Sequence, residues 1–296
     1  MQAMRNDIIQ TKSARYYGMY ILSMLIFGTN GLIVSRISLA ASQIVLFRTL
    51  IGGLFLTALV LLRGGFDRAA VRSELAALLF GGAMLGLNWI TLFEAYRLLN
   101  VSLSTLIYYI GPILVLLSSP FLFREKLSGR KIATVTVVFI GLLFISGSIA
   151  QTGMNGRGLL AAILSAVFYA GLIVFNKRIV RTSGMQTAAL ELDVAFVVVL
   201  IYTLATAGLP EWKRADVPYL IAIGLINTGA AYFLYFTGLK RLSAQSVALI
   251  SYVDPVSALV FSALFLHEEL SLMQRLGALL ILGGAIYGEV GKKKTE

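Results

Sequence analysis

Tyr109-Ile110-Gly111-Pro112, followed by Arg124-Glu125-Lys126-Leu127-Ser128, returns 143 residues later as Tyr252-Val253-Asp254-Pro255, followed by His267-Glu268-Glu269-Leu270-Ser271. At this offset residues 86–128 and 229–271 share twelve identities, among them Gly86/Gly229, Phe93/Phe236, Tyr109/Tyr252, Pro112/Pro255, Ser119/Ser262 and Glu125/Glu268. An apolar-biased chance pairing would share roughly four, and the paired Tyr-x-x-Pro and Glu-x-Leu-Ser weigh more than shared leucines. An offset of 142 carries the match back to the beginning, where Ile21-Leu22-Ser23 meets Ile163-Leu164-Ser165 and Arg36-Ile37 meets Arg178-Ile179. The chain is two copies of one unit.

Composition says where the unit lives. Of 296 residues 58 % are hydrophobic and 13 % charged, with a mean hydropathy of +0.86. Soluble domains average roughly 45 to 50 % apolar and about 25 % charged, so a water-soluble fold is excluded. Ten apolar stretches, 16–34, 42–62, 75–99, 102–123, 131–148, 157–176, 186–207, 216–238, 244–266 and 272–289, are each long enough to cross about 30 Å of hydrocarbon at roughly 1.5 Å per helical residue. The expected layout is a tail, 1–15, a five-helix unit, 16–148, a second, 157–289, and a basic tail, 290–296. Five is odd, so the second copy enters the membrane from the opposite face. The expected fold is an all-α membrane protein of ten transmembrane helices, arranged as two inverted five-helix repeats around a central cavity, which is a transporter arrangement.

Several function classes fall away at once. The short linkers leave no room for a nucleotide-binding domain, and without cysteine there is no disulfide, thiolate nucleophile or iron–sulfur cluster. The net charge of +11 sits in links between apolar runs, where it orients a membrane protein rather than binding nucleic acid. Eighteen Lys and Arg residues fall on the side of the two termini against six on the other, which places both termini in the cytoplasm of a multi-pass protein of the cytoplasmic membrane. The first apolar run is a full span with no small-residue cleavage site, so a secretory signal is not expected. No H-E-x-x-H, G-x-S-x-G or P-loop motif appears, and the one histidine, His267, reads as a solvated loop residue. An enzyme, a bound metal and an organic cofactor are therefore not expected.

The inverted halves, Phe27-Gly28 with its counterpart Tyr169-Ala170, Arg48 in span 2, and the Pro-bearing spans 4 and 9 with their trailing Arg-Glu-Lys-Leu-Ser and His-Glu-Glu-Leu-Ser together resemble the drug/metabolite transporter superfamily with tandem EamA-type domains. The resemblance covers nearly the whole chain. It implies secondary transport, often export, through a cavity between the halves. It is specific for architecture and hardly at all for substrate, since that superfamily moves amino acids, amines, sugars, nucleotides and drugs. Phe27 stands where many members carry Trp, which keeps an aromatic wall and drops an indole hydrogen bond.

Charges inside hydrocarbon cost several kcal/mol unless they face a cavity or a partner, so each is a candidate for function. Asp254 lies in the middle of span 9, before Pro255, where the other half has Gly111 before Pro112. It either binds a proton or a substrate cation near the pseudo-two-fold axis, or stays neutral on a carbonyl freed by the proline, expected to be that of Ser251. Glu94, with Thr91 and Asn88 near the same face, either takes a proton or an amine, or pairs with Arg97 three residues on. Arg48 suits a substrate carboxylate or a pairing with Glu94; its alternatives are snorkelling and bonding to helix-end carbonyls. Glu191 and Asp193 cannot face one cavity together and read as interfacial, as does Glu289.

Aromatic residues outline a pocket in spans 3 to 9: Trp89, Tyr108, Tyr109, Tyr169, Tyr232, Tyr235 and Tyr252, able to stack on a planar substrate or cage a cation, or else simply to pack helices. Pro112 and Pro255 are expected helix breaks. Gly28, Asn30 and Gly31 permit a close approach or a local break, and Gly277, Gly283 and Gly284 read as packing or a weak dimer face. The function expected is alternating-access transport of a small polar metabolite, an amino acid or an amine, coupled to protons and directed outward, by a monomer or weak dimer. Efflux of planar drug-like compounds is the alternative; a passive channel or an intramembrane enzyme is the reading from other classes.

Overall fold

The computed structural model describes residues 2–99, 101–146, 155–208, 213–267 and 269–290. The basic residues of the C-terminal tail, most of the link between the units and Glu268 lie outside them. The described chain runs α1 (Gln2–Gly28), α2 (Asn30–Val34), α3 (Ala41–Leu62), α4 (Arg68–Leu98), α5 (Val101–Tyr108), α6 (Ile110–Phe123), α7 (Gly129–Ser146), α8 (Gly156–Asn176), α9 (Gly184–Thr206), α10 (Val217–Ala222), a π-helical stretch (Ile223–Ala230), α11 (Ala231–Leu239), α12 (Ala244–Ile250), α13 (Val253–Phe265) and α14 (Leu272–Val290). Nine spans among the described residues are long and apolar enough to cross a membrane. The tenth, α14, carries Gln274, Arg275 and Glu289 within its 19 residues. This is a multi-pass helical membrane protein.

Short polar residues start the helices by accepting hydrogen bonds from amides that have no partner in the first turn. Asp67 caps α4 through the Ala70 amide (3.0 Å), Asn155 caps α8 through Arg157 (3.0 Å) and Gly158 (3.2 Å), and Ser243 caps α12 through Ser246 (3.1 Å). The Asp67 cap corrects the expected start of span 3: the helix begins at Arg68, not at 75, so Arg68 and Arg72 are helical rather than in a loop. Across the halves, the Glu125 carboxylate accepts from the Ala244 (2.7 Å) and Gln245 (3.1 Å) amides and so closes the start of α12.

Packing follows the repeat. α4 lies along α8 as α11 lies along α1, and α6 meets α8 as α13 meets α1. α3 packs on the π-helical stretch as α9 packs on α4, while α3 with α9 and α7 with α14 join equivalent helices of the two halves. Gly277 and Gly141 bring α7 and α14 into backbone contact, since a Cβ on Gly277 would lie 2.6 Å from the Gly141 carbonyl oxygen. Gly284 also faces α7, leaving Gly283 as the member of the expected dimer trio with open space around it.

Among the described residues three spans are broken, those at Tyr109 and Ser251–Tyr252 near their middles. α1 gives way to α2 at Thr29, and Gly28 lies against Ser257 of α13, where a Cβ would fall 2.0 Å from the hydroxyl oxygen; the close approach and the break both occur. The other breaks, at Tyr109 and at Ser251–Tyr252, are repeat equivalents. They correct the assignment of the breaks to Pro112 and Pro255, which sit third in α6 and α13. A proline amide is missing where a first-turn amide would be unpaired anyway, so the discontinuity falls just upstream. The Ser251 carbonyl is not left free as expected, because it accepts from the Asp254 amide (3.2 Å) in a tightened turn.

Candidate functional site

The break in span 9 sets Asp254 in the first turn of α13 against the break in span 4. The Tyr109 hydroxyl donates to the Asp254 carboxylate (3.3 Å), and the Tyr252 hydroxyl donates to the Tyr109 carbonyl (3.0 Å). Each half thus braces the other at its Tyr-x-x-Pro. Tyr252 is itself buried, its ring 6.2 Å from that of Tyr109, so it supports Tyr109 from behind. One turn earlier the Ser251 hydroxyl lies 2.7 Å from that of Tyr169 and 2.9 Å from that of Tyr20, with the Tyr235 ring tilted beside Tyr20 at 5.2 Å. Tyr108 bridges Tyr109 and Tyr169, with ring centroids 5.2 and 5.5 Å away.

Arg48 lies on α3, against the π-helical stretch. Its side chain is buried, with Nε donating to Thr228 Oγ1 (2.8 Å) and a terminal nitrogen to the Asn227 carbonyl (3.3 Å), and its guanidinium lies 5.1 Å from the Trp89 ring centre. Trp89 meets Tyr232 edge-on at 5.7 Å, and Tyr232 packs on Phe27 at 5.0 Å. The π-helical stretch makes this possible: its wide turn lets the Thr228 hydroxyl donate to the Ile223 carbonyl five residues back (2.9 Å) while accepting from Arg48, and such bulges recur at functional sites. The Asn227 amide reaches the Ile26 carbonyl and the Thr29 hydroxyl, both at 2.8 Å, tying the bulge to the break in span 1. Replacing Thr228 by valine removes a hydrogen bond to a buried cation, worth about 1.5 to 3 kcal/mol. The melting midpoint in detergent should fall by several degrees; an unchanged midpoint would show that Arg48 does not depend on this anchor.

Arg48 and Asp254 feel each other electrostatically without touching. Among the described residues the ion pair within 4 Å is Arg97 with Glu94, so neither Arg48 nor Asp254 has a counter-ion in contact. A buried charge without its partner is expensive, which makes this pair of separated opposite charges the candidate site.

The structure moves other candidates elsewhere. Glu94 takes the ion-pair alternative, 2.5 and 3.1 Å from the Arg97 guanidinium with the Tyr202 hydroxyl at 3.3 Å, in a lateral groove that does not include Asp254 or Arg48. The expected Arg48–Glu94 pairing is not formed. Asn88 is buried and donates to the Ser165 carbonyl (2.7 Å), clasping α4 to α8. Glu191 is not interfacial: it is fully buried, its carboxylate held by the Asn176 amide at 2.9 Å and pressed on Gly81. Asp193 accepts from the Thr57 hydroxyl (2.8 Å), and Glu289 from Tyr17 (3.1 Å) and Ser246 (3.2 Å), so both join helices instead of facing headgroups. In each case a helix seam supplies the polar partner that burial demands. At the end of span 8, Lys240 donates to the Thr182 carbonyl and to Thr187 Oγ1 (2.6 Å), and burial pushes its amine down to about 8. Sequence reasoning missed Tyr20, the Ser251 hydroxyl, Asn227 and Thr228; the adjacent Asn227-Thr228 inside an apolar run was the available signal.

Two tandem five-helix halves meeting at broken helices, with polar groups gathered at the breaks, define a membrane transporter of the inverted-repeat type. The chain belongs to the EamA-like transporter family, whose model matches it twice, over residues 15–147 and 156–287. An uncharacterized transporter of Bacillus subtilis (strain 168), YxxF, is 30 % identical over 269 residues, covering 89 % of this chain and 86 % of that one. Protein PecM of Dickeya dadantii (strain 3937) is 26 % identical over 210 residues, 70 % of each chain. A probable amino-acid metabolite efflux pump of Escherichia coli (strain K12) is 25 % identical over 198 residues, 62 % of this chain and 65 % of that one. A protein crystal structure at 21 % identity shares the fold, with a TM-score of 0.81 over 92 % of this chain and 96 % of that one. The family and these transporter relatives point to a transporter rather than an enzyme.

Proposed function

We propose that the protein exports a small zwitterionic metabolite of the amino-acid class across the cytoplasmic membrane in exchange for protons, with both termini in the cytoplasm. The observation that carries this reading is the separation of Arg48 from Asp254: a carboxylate suits the fixed guanidinium fork, and an amine suits the aspartate, each replacing water lost on burial. Trp89, Tyr232, Tyr108 and Tyr109 offer aromatic faces to whatever lies between. Asp254 serves as the proton site, unloading its proton when the substrate amine arrives. The printed name of the Escherichia coli relative is consistent with this class.

Alternating access fits the asymmetry of the two copies. Every residue of α12 is buried, while in its repeat mate α5 Val101 is exposed and Thr105 and Tyr108 are partly so. We read this asymmetry as a state closed on the side of the termini, with the opposite state exchanging the roles of α5 and α12. The ring of aromatics supports efflux of planar drug-like compounds as a second reading.

The test is a substrate panel on proteoliposomes with an internal pH dye. Amino acids should move protons, whereas amines lacking a carboxylate and carboxylates lacking an amine should not. Equal responses to planar aromatic cations would favour the second reading, and uptake with no proton movement for any compound would remove coupling from the proposal.

A further inference from the structure

At the membrane end opposite the termini, a lateral groove of about 750 Å³ opens between α4, α8 and α9, away from Asp254 and Arg48. Its inner wall is apolar: Ile90, Ala161, Leu160 and Leu164, the last two exposed at 57 % and 36 %. In a chain that spans the bilayer, exposed leucines on a membrane helix suit hydrocarbon, so the groove suits an occupant with an acyl chain. The rim is different. Arg97 lies in the last turn of α4 and Arg157 in the first turn of α8, so both stand at the depth of the headgroups. Leu164 is seven residues below Arg157, roughly 10 Å deeper at 1.5 Å per residue.

The charges of the rim do not cancel. Glu94 is occupied by Arg97 at 2.5 and 3.1 Å and by the Tyr202 hydroxyl at 3.3 Å. Arg157 is exposed and has no carboxylate within 4 Å among the described residues. The groove therefore carries one net positive charge above an apolar floor, complementary to a lipid whose headgroup is anionic and whose chain is hydrocarbon.

We propose that this groove is a binding site for an anionic phospholipid of the leaflet opposite the termini, with its phosphate between Arg157 and Arg97 and one acyl chain along Leu160 and Leu164. The site joins both halves, because α4 belongs to the first and α8 and α9 to the second, so an occupying lipid braces the seam between them.

The test is lipid retention by the purified full-length protein, measured by native mass spectrometry after exchange into mixed micelles of phosphatidylglycerol and phosphatidylcholine. One net cation near the surface predicts about a fivefold preference for phosphatidylglycerol. Arg157→Gln, an exposed position whose change leaves the helix contacts intact, should remove the preference. Glu94→Gln should strengthen it by removing the competing carboxylate. Leu160→Trp, which fills the groove without altering charge, should lower retention of both lipids. Equal retention of the two lipids by the wild type, or a preference that survives Arg157→Gln, would overturn the assignment. Displacement of the lipid by millimolar inorganic phosphate would overturn it as well, by showing that a soluble anion suffices.

Discussion

Asparagine in place of Asp254 is expected to reduce substrate-driven proton movement in proteoliposomes to the level of empty vesicles, while the protein stays folded and still exchanges substrate for substrate. The substitution keeps the shape, and the Tyr109 hydroxyl that lies 3.3 Å from the carboxylate can donate equally well to an amide oxygen. No ion pair is broken, because none holds Asp254 among the described residues. What disappears is the capacity to carry a proton at the junction of the two broken spans. Tyr109→Phe supplies the graded control. It removes a single hydrogen bond worth about 0.5 to 1.5 kcal/mol, so the pH dependence of transport should shift by roughly two- to tenfold in proton concentration with coupling intact. Proton flux that persists in the asparagine variant would assign coupling to another group, with the buried Glu191 as the first to examine.

Leucine at Gly82 should cause the largest loss of folded protein of any single change at the seam between the halves. A Cβ there would stand 2.7 Å from the Val194 Cβ and 2.8 Å from the Glu191 carbonyl oxygen, and a backbone atom cannot turn aside as a side-chain tip can. Overpacking a close contact by a few carbons costs typically 1 to 3 kcal/mol, and here α4 and α9 must move apart along a shared length. Against total stabilities of about 5 to 15 kcal/mol, that loss should lower the melting midpoint in detergent by several degrees and reduce the monodisperse yield on size exclusion. Gly283→Ala is the matched control: nothing lies within 4 Å of its added Cβ, and alanine is the better helix former, so the yield should hold or rise. Equal yields from the two variants would mean that the α4–α9 contact is loose in the membrane.

The proposed roles of Asp254 and Arg48 and the lipid groove share a physical origin. A guanidinium or a carboxylate inside the bilayer must find polar company, and this chain supplies it where helices are interrupted or where two helices cross. At Arg48 the company is a π-helical turn, at Asp254 a helix break, at Glu191 an asparagine on the neighbouring span. Glu94 finds its partner on its own helix, one turn away, and so has no need of the centre.

The amino-acid sequence by itself determined the membrane class, the span count, the inverted repeat and the positions near which spans 4 and 9 break. All of these depend on local quantities: hydropathy summed over about 20 residues, the parity of five, and a proline that cannot donate. Only the tertiary structure decided which way each polar side chain turns. Glu94 and Glu191 are both acids in apolar helices; Arg97, three residues on, signals a local partner for Glu94, but nothing along the chain tells that Glu191 meets Asn176 in a sealed seam. Helical position fixes a direction around one axis, whereas burial depends on which other axes stand beside it. The same holds for Tyr20 and Ser251, separated by 231 positions and joined by a 2.9 Å hydrogen bond. Their meeting is a property of how the two halves close on one another, because span 1 reaches span 9 only through the pseudo-two-fold packing that the whole chain creates.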